Sequence, residues 1–409
     1  MLAVLQHRTL SAPLLPNLKT FVCREVTPAF IPFLSLFPSQ RTTSIDIEFR
    51  KFLVRPPILT IASMITTFPS ICPNLLQISL RSLPRDPLIV ASVSEMFLTC
   101  NQNALELFNV DCPLTETARK VIFQLPNLAG LRSVFEGPTL LPPVILPGLE
   151  GLCIEYSDGH DWLKSFSGAV FNNLALLVFH NTSPQVGNFL EAFEGVELAP
   201  SISTTLSTFK FYSSYPWNPG YSSLLAFGQL SDLKIENPCH SGCSSTVDDE
   251  ILTSLARAMP RLEVLQLGSE PCGAPAGVTI KGLVELSCHC TNLSSLRVHI
   301  RVDSLVQAAA GGVATSLSGR EPNTTWEEHA LMTLEVGRTP ITQETALTVA
   351  LALLNIFPRI VNIKYINFGW RGVDNTIKLF RRLSNRIGDL ARSSSKSATM
   401  EPQGTILTP

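Results

Sequence analysis

Charge is what this sequence has least of. Charged residues make up 16% of the 409, against about 25% in an average soluble protein, while hydrophobic residues make up 45%. That composition excludes global disorder, and much of each element's surface is expected to pack against a neighbour. An excess of one sign is missing too: 31 basic against 33 acidic side chains give a formal net charge of -2. The balance excludes the strong positive field that drives binding to nucleic acid or to an anionic membrane. Long hydrophobic runs are also absent. The longest, TALTVALALLNIF from Thr345 to Phe357, falls short of the roughly 20 residues that a membrane-spanning helix needs. The opening MLAVLQHRTLSAPLL has no basic stretch followed by a sustained apolar core, so the chain reads as soluble and intracellular, in cytoplasm or nucleus.

The signatures of chemistry are equally sparse. AAAGGVATSLSG, from Ala308 to Gly319, has the small residues of a phosphate-cradling loop but no G-x-x-x-x-G-K-[ST] pattern, and reads as a flexible insertion. Asp158, His160 and Asp161 in YSDGHDW lack a G-x-S-x-G elbow or any identifiable nucleophile, and read as a solvated turn. Ten cysteines are spread thinly along the chain, which suggests reduced and mostly buried thiols rather than a secreted disulfide framework. Cys239, His240 and Cys243 in PCHSGC, with Cys272 and then Cys288, His289 and Cys290 in SCHC, offer zinc-ligand types at poor spacing. Cys290 occupies the same place as Cys72 in CPNL, which points to packing. The sequons at Asn181, Asn292 and Asn323 would carry meaning only in a secreted chain. No catalytic residue, cofactor or metal is expected.

What the sequence does have is a repeat. MPRLEVLQLGS places Leu262, Leu265 and Leu267 in an L-x-x-L-x-L pattern, and CTNLSSLRVHI repeats it at Leu293, Leu296 and Val298. With other apolar residues allowed, the pattern also fits Leu18/Phe21/Cys23, Leu75/Ile78/Leu80, Leu149/Leu152/Ile154, Leu174/Leu177/Phe179, Leu206/Phe209/Phe211, Leu230/Leu233/Ile235, Leu331/Leu334/Val336 and Ile360/Ile363/Tyr365. Weaker matches begin at Thr42, Gln102 and Leu128. The mean period is about 28 residues, within the range of leucine-rich repeats. The L-x-L half has the alternation of a short strand, and the intervening segments carry apolar residues at helical spacing, as with Ile251, Leu252, Leu255 and Met259. Pro16, Pro73, Pro126, Pro147, Pro260 and Pro358 each sit two residues before a motif, where they stop a helix before the strand begins. In SSTVDDEIL, Thr246 or Ser245 is expected to cap the next helix, with Asp248, Asp249 and Glu250 at its positive end.

CPNLLQISL, LPNLKTF, MPRLEVLQL and CTNLSSLRV resemble the helix-end and strand signature of leucine-rich-repeat proteins, specifically the repeat half of F-box/leucine-rich-repeat proteins abundant in mushroom-forming fungi. The resemblance implies an α/β fold: a leucine-rich-repeat solenoid over residues 1–383, with a parallel concave sheet and outer helices; the last stretch, SSSKSATMEPQGTILTP, has no apolar period, and residues 384–409 read as a polar, disordered tail. KLFRRLSNRIGDLARSSSK, with Lys378, Arg381, Arg382, Arg386 and Arg392, reads as a terminal capping helix with a polar outer face. In that family an N-terminal F-box binds the adaptor of a cullin-type ubiquitin ligase. Here LLPNLKTF is already a repeat strand and leaves no room upstream for an F-box. The nearest imitation, LPRDPLIVASVSEMFL, lies inside the repeat frame, has a second proline at Pro87, and reads as a connecting helix.

The functional expectation is a non-catalytic recognition module, an F-box-like substrate receptor that holds a protein partner in its concavity. The alternative is a leucine-rich-repeat scaffold, or a diverged product, with no ubiquitin-ligase link. In each strand the residues between and just after the motif positions point away from the leucine core. The concave face should therefore present Lys210, Tyr212, Lys234, Glu236, Gln266, Arg297, His299, Glu335 and Lys364. Tyr212 and Arg297 are the expected binding hot spots, because arginine and aromatic side chains dominate such sites.

Overall fold

The computed structural model describes residues 13–50, 57–136, 145–156, 170–182, 200–214, 221–236, 247–268, 277–310, 329–337 and 339–398. Asp158, His160, Asp161, Cys239, His240, Cys243, Cys272, Asn323 and the stretch 311–319 lie outside the described residues. Contacts divide the chain into two compact units, Met1–His240 and Ser241–Pro409, a division the repeat pattern does not announce.

In the first unit the strands are β1 (Thr20–Val26), β2 (Ser44–Phe49), β3 (Gln77–Arg81), β4 (Leu107–Pro113), β5 (Gly130–Phe135), β6 (Ile145–Leu146), β7 (Gly151–Tyr156), β8 (Val170–Phe171), β9 (Leu176–Asn181), β10 (Thr208–Ser213) and β11 (Asp232–Glu236). All but β6 and β8 lie in one sheet in chain order, and each documented pairing is parallel; β6 and β8 form a separate parallel pair. Parallel neighbours require crossovers. Helices α1 (Ile58–Ile71), α2 (Pro87–Thr99), α3 (Glu116–Ile122) and α4 (Pro200–Thr205), with 3-10 turns at Ile31–Leu36 and Tyr221–Ala226, supply several of them. The first of these helices packs on the second.

The second unit repeats the scheme with α5 (Asp249–Ala258), β12 (Val264–Leu267), α6 (Ile280–His289), β13 (Ser295–Arg297), α7 (Val302–Ala310), β14 (Thr333–Gly337), α8 (Ala346–Ile356), β15 (Asn362–Tyr365) and α9 (Trp370–Ala398). The polar segment expected to be a disordered tail from 384 is helical as far as Ala398. Among the described residues no helix is long and apolar enough to cross a membrane.

Register explains the periodicity. Phe21, Ile45, Ile78, Phe108, Leu131, Leu152, Leu177, Phe209 and Leu233 are successive cross-strand partners and all are buried. In the second unit Leu265, Leu296, Leu334 and Ile363 form the same row. The match beginning at Gln102 needs correction. Because Phe108 pairs with Ile78 and Leu131, the motif is Leu105/Phe108/Val110, fully buried, whereas Leu107, an inward position in the Gln102 frame, is exposed. Two leucines two residues apart imitated the strand half of the motif. At the terminal strands the third positions, Cys23 and Tyr365, are only half-buried, since each has a neighbour on one side alone.

Helix ends follow local chemistry. Cys72, Met259 and Phe357 are helix C-caps, each followed at once by proline. The N-cap of α5 is Asp248, not Thr246 or Ser245: its carboxylate accepts from the Ile251 N–H at 2.9 Å. A carboxylate suits this position because it neutralises the helix's positive end as well as satisfying a free N–H. LPRDPLIVASVSEMFL forms α2, capped by Asp86.

The repeats are stitched together by side chains. Asp249, in the first turn of α5, accepts from the Thr279 N–H (2.7 Å), the Thr279 hydroxyl (2.5 Å) and the Gly282 N–H (3.2 Å), and so caps α6 from the preceding repeat. A β-carbon at Gly282 would collide with that carboxylate. Cys290, the C-cap of α6, directs its Sγ to the Ala256 and Met259 carbonyls at 3.7 and 3.5 Å, the packing role expected of it. Trp370 is fully buried, and its Nε1–H donates to the Thr339 carbonyl at 2.8 Å.

Candidate interaction face

A strand with one face in the core must place alternate side chains on the other. In the first unit this produces a second ordered row: Asp46, Ser79, Asn109, Arg132, Cys153, Val178, Lys210 and Lys234 are successive cross-strand partners. Alongside it Glu155, His180, Tyr212 and Glu236 form another. Lys210 and Lys234 stand side by side, and Asp232 relieves their repulsion from 3.3 and 3.4 Å. The His180 ring stacks on Tyr212 with centroids 4.9 Å apart and planes 12° from parallel. Burial, with the nearby Arg132 charge adding to it, lowers the His180 pKa to about 4, so the stack presents a neutral imidazole at physiological pH.

Sequence reasoning confined to the better-defined C-terminal repeats missed the earlier part of this face. Arg132, Glu155 and His180 each follow an inward motif residue directly, so the same frame applied upstream finds them. Arg81 bonds Asp46 at 3.0 Å and approaches Glu48 at 3.4 Å, and Arg85 pairs with Glu155.

In the second unit Gln266, Arg297, Glu335 and Lys364 are consecutive partners across β12 to β15. Lys364 is exposed, while Gln266, Arg297 and His299 are half-buried. Glu335 departs from expectation: it is buried, with Arg297 Nε 2.9 Å from its carboxylate. The cause is that an arginine lies on the adjacent strand in register, and mutual neutralisation draws the acid down. The strongest cation expected to meet a partner is thus already engaged within the fold.

The buried cysteines are protonated packing groups. Burial pushes the Cys72 thiol up to about 11, and the Cys100 and Cys290 thiols up to about 12, so none of these is a thiolate at neutral pH. Seven described cysteines are free, and Cys72, Cys100, Cys112 and Cys290 are buried. Among the described residues no three His, Cys, Asp or Glu side chains are grouped to hold a metal ion. Asn181 is buried with its amide donating to the Ser213 hydroxyl at 3.2 Å, which removes it as a glycan acceptor in the folded chain.

The chain matches no family model and no curated protein. A functional reading therefore stands on the geometry of the sheet face: ordered rows of mixed charge, amide, imidazole and phenol on a parallel scaffold.

Proposed function

We propose that the protein is a non-catalytic recognition module of the leucine-rich-repeat type, an F-box-like substrate receptor that binds a protein partner across the polar face of its sheet. The observation that carries this reading is the register itself. The inward motif residues form unbroken cross-strand rows, so their neighbours form equally regular rows of varied chemistry on the opposite face. Alternating charge with the His180–Tyr212 stack suits a polar protein surface better than a phosphate backbone, which would call for cations alone. Rigid strands also hold such side chains in place before binding, which lowers the entropic cost of recognition.

The test compares proteins captured by the tagged full chain with those captured by Tyr212→Ala, by Lys234→Glu, and by a control on the outer helices such as Glu95→Ala. A partner lost with both face variants and kept by the control supports the face. Loss with the helix control alone would sink it. Co-purification of a cullin-ligase adaptor tests the receptor role; a partner retained without any adaptor would leave a scaffold.

A further inference from the structure

Beside the exposed polar residues expected of a capping helix, the last helix also exposes an apolar stripe. Its first turns are anchored: Trp370, Val373 and Ile377 are buried, and the Arg381 Nε–H donates to the Ile360 carbonyl at 3.2 Å. Beyond this anchor every described side chain from Arg382 to Ile387 is exposed. On the exposed surface stand Leu379 (55% exposed), Phe380 (37%), Leu383 (47%) and Ile387 (66%). At 100° per residue these four fall within a stripe about 100° wide, centred about a right angle from the middle of the buried face, with Phe380 at its edge beside Val373. The stripe is about 12 Å long, since eight residues separate its ends at 1.5 Å each.

A second row runs beside it. Lys378, Arg382 and Arg386 share the four-residue step of Leu379, Leu383 and Ile387, one position earlier, and so flank the stripe along its length. Lys378 is held by Asp374 at 2.6 Å, whereas Arg382 and Arg386 are exposed and make no ion pair among the described residues. From Lys378 to Ile387 there are cations at Lys378, Arg381, Arg382 and Arg386 and no acid. A second copy of the chain would bring the same positive charge to the same seam, which opposes self-association. The flanking cations lie on one side of a short stripe, whereas a helix lying in a lipid surface sets basic residues on both sides of a longer one.

We propose that α9 is a docking site for an acidic amphipathic helix of another protein, whose apolar row packs on Leu379, Leu383 and Ile387 while its carboxylates pair with Arg382 and Arg386. This site is independent of the sheet face and does not rest on it. It follows the helix-on-helix mode of recognition, with apolar anchors supplying affinity and the charged flank supplying selectivity.

The test uses the full chain and two designed helical peptides with the same leucine row, one flanked by glutamates and the other by lysines, read by fluorescence anisotropy. The acidic peptide should bind and the basic one should not, and binding should weaken as salt is raised. Leu383→Glu should weaken the acidic peptide by at least about tenfold. The double variant Arg382→Glu, Arg386→Glu should reverse the preference between the peptides. All three positions are exposed, so circular dichroism and melting should stay unchanged and separate docking from folding. Equal binding of both peptides, no binding of the acidic one, or indifference to both variants overturns the proposal. Failure of the acidic peptide together with binding to phosphatidylserine vesicles that Leu383→Glu abolishes would assign the stripe to lipid. A dimer that the same substitution dissociates would assign it to a second copy.

Discussion

Arg297 sits where a binding hot spot is expected, yet its charge faces Glu335 at 2.9 Å, and Glu335 is buried. Removing one member of a buried pair leaves the other charge stranded, a larger loss than the pair's own net worth. Arg297→Ala should therefore lower unfolding stability by about 3 kcal/mol in denaturant titration. The volume-conserving double change Arg297→Met, Glu335→Leu should restore most of that. If Arg297→Ala melted like the parent and only partner binding fell, the guanidinium would belong to the partner rather than the fold. His329 offers a second residue-scale check. Its Nδ1 accepts from the Leu331 N–H at 3.2 Å, its ring meets Phe357 edge-on at 5.1 Å, and burial lowers its pKa to about 4. The unfolded chain takes up this proton near pH 6.5 and the folded one only near 4, so the contribution of His329 to folding stability is constant above that window and is lost as pH falls through it, alongside that of His180. His329→Gln should flatten the stability–pH slope between about pH 6.5 and 4; an unaltered slope would refute the assignment.

At the scale of elements, the Asp249 carboxylate joins α5 to α6 through its bonds to Thr279 and Gly282. Charge-assisted bonds to free helix N–H groups are stronger than neutral ones, so Asp249→Ala should cost about 1–3 kcal/mol. Asp249→Asn should cost less, because the amide oxygen still accepts. Equal losses would mean that charge adds nothing there. The strands, their inward faces and the helix stops after Cys72, Met259 and Phe357 were legible in the sequence, because a two-residue alternation and a proline act locally. The helix α5 was legible in place but not in its cap: the sequence offers Thr246 or Ser245, and backbone geometry selects Asp248 instead. The frame slipped at β4, where Leu107 competes with Leu105 and Phe108, and a single strand cannot decide between them without its neighbours' register. The burial of Glu335 was hidden for the same reason. Periodicity assigns a face, while depth depends on what the adjacent strand supplies.

At the scale of the whole molecule, stability in stacked strand–helix arrays is set by each repeat and its immediate neighbours rather than by one central core. Leu296 is fully buried in β13 between Leu265 and Leu334, so its truncation to alanine empties a site shared by three strands. The expected loss is about 2–5 kcal/mol, depending on how far the walls relax. Where that loss appears is the informative part. If coupling decays with distance along the array, amide exchange in Leu296→Ala should accelerate in β12, β13 and β14 while β1 to β5 of Met1–His240 exchange as before. Uniform acceleration throughout would instead make the chain one cooperative block, with the two compact units a matter of shape alone. No acceleration anywhere would be the more damaging result, because it would remove Leu296 from the core and with it the register on which both the inward row and the polar face depend.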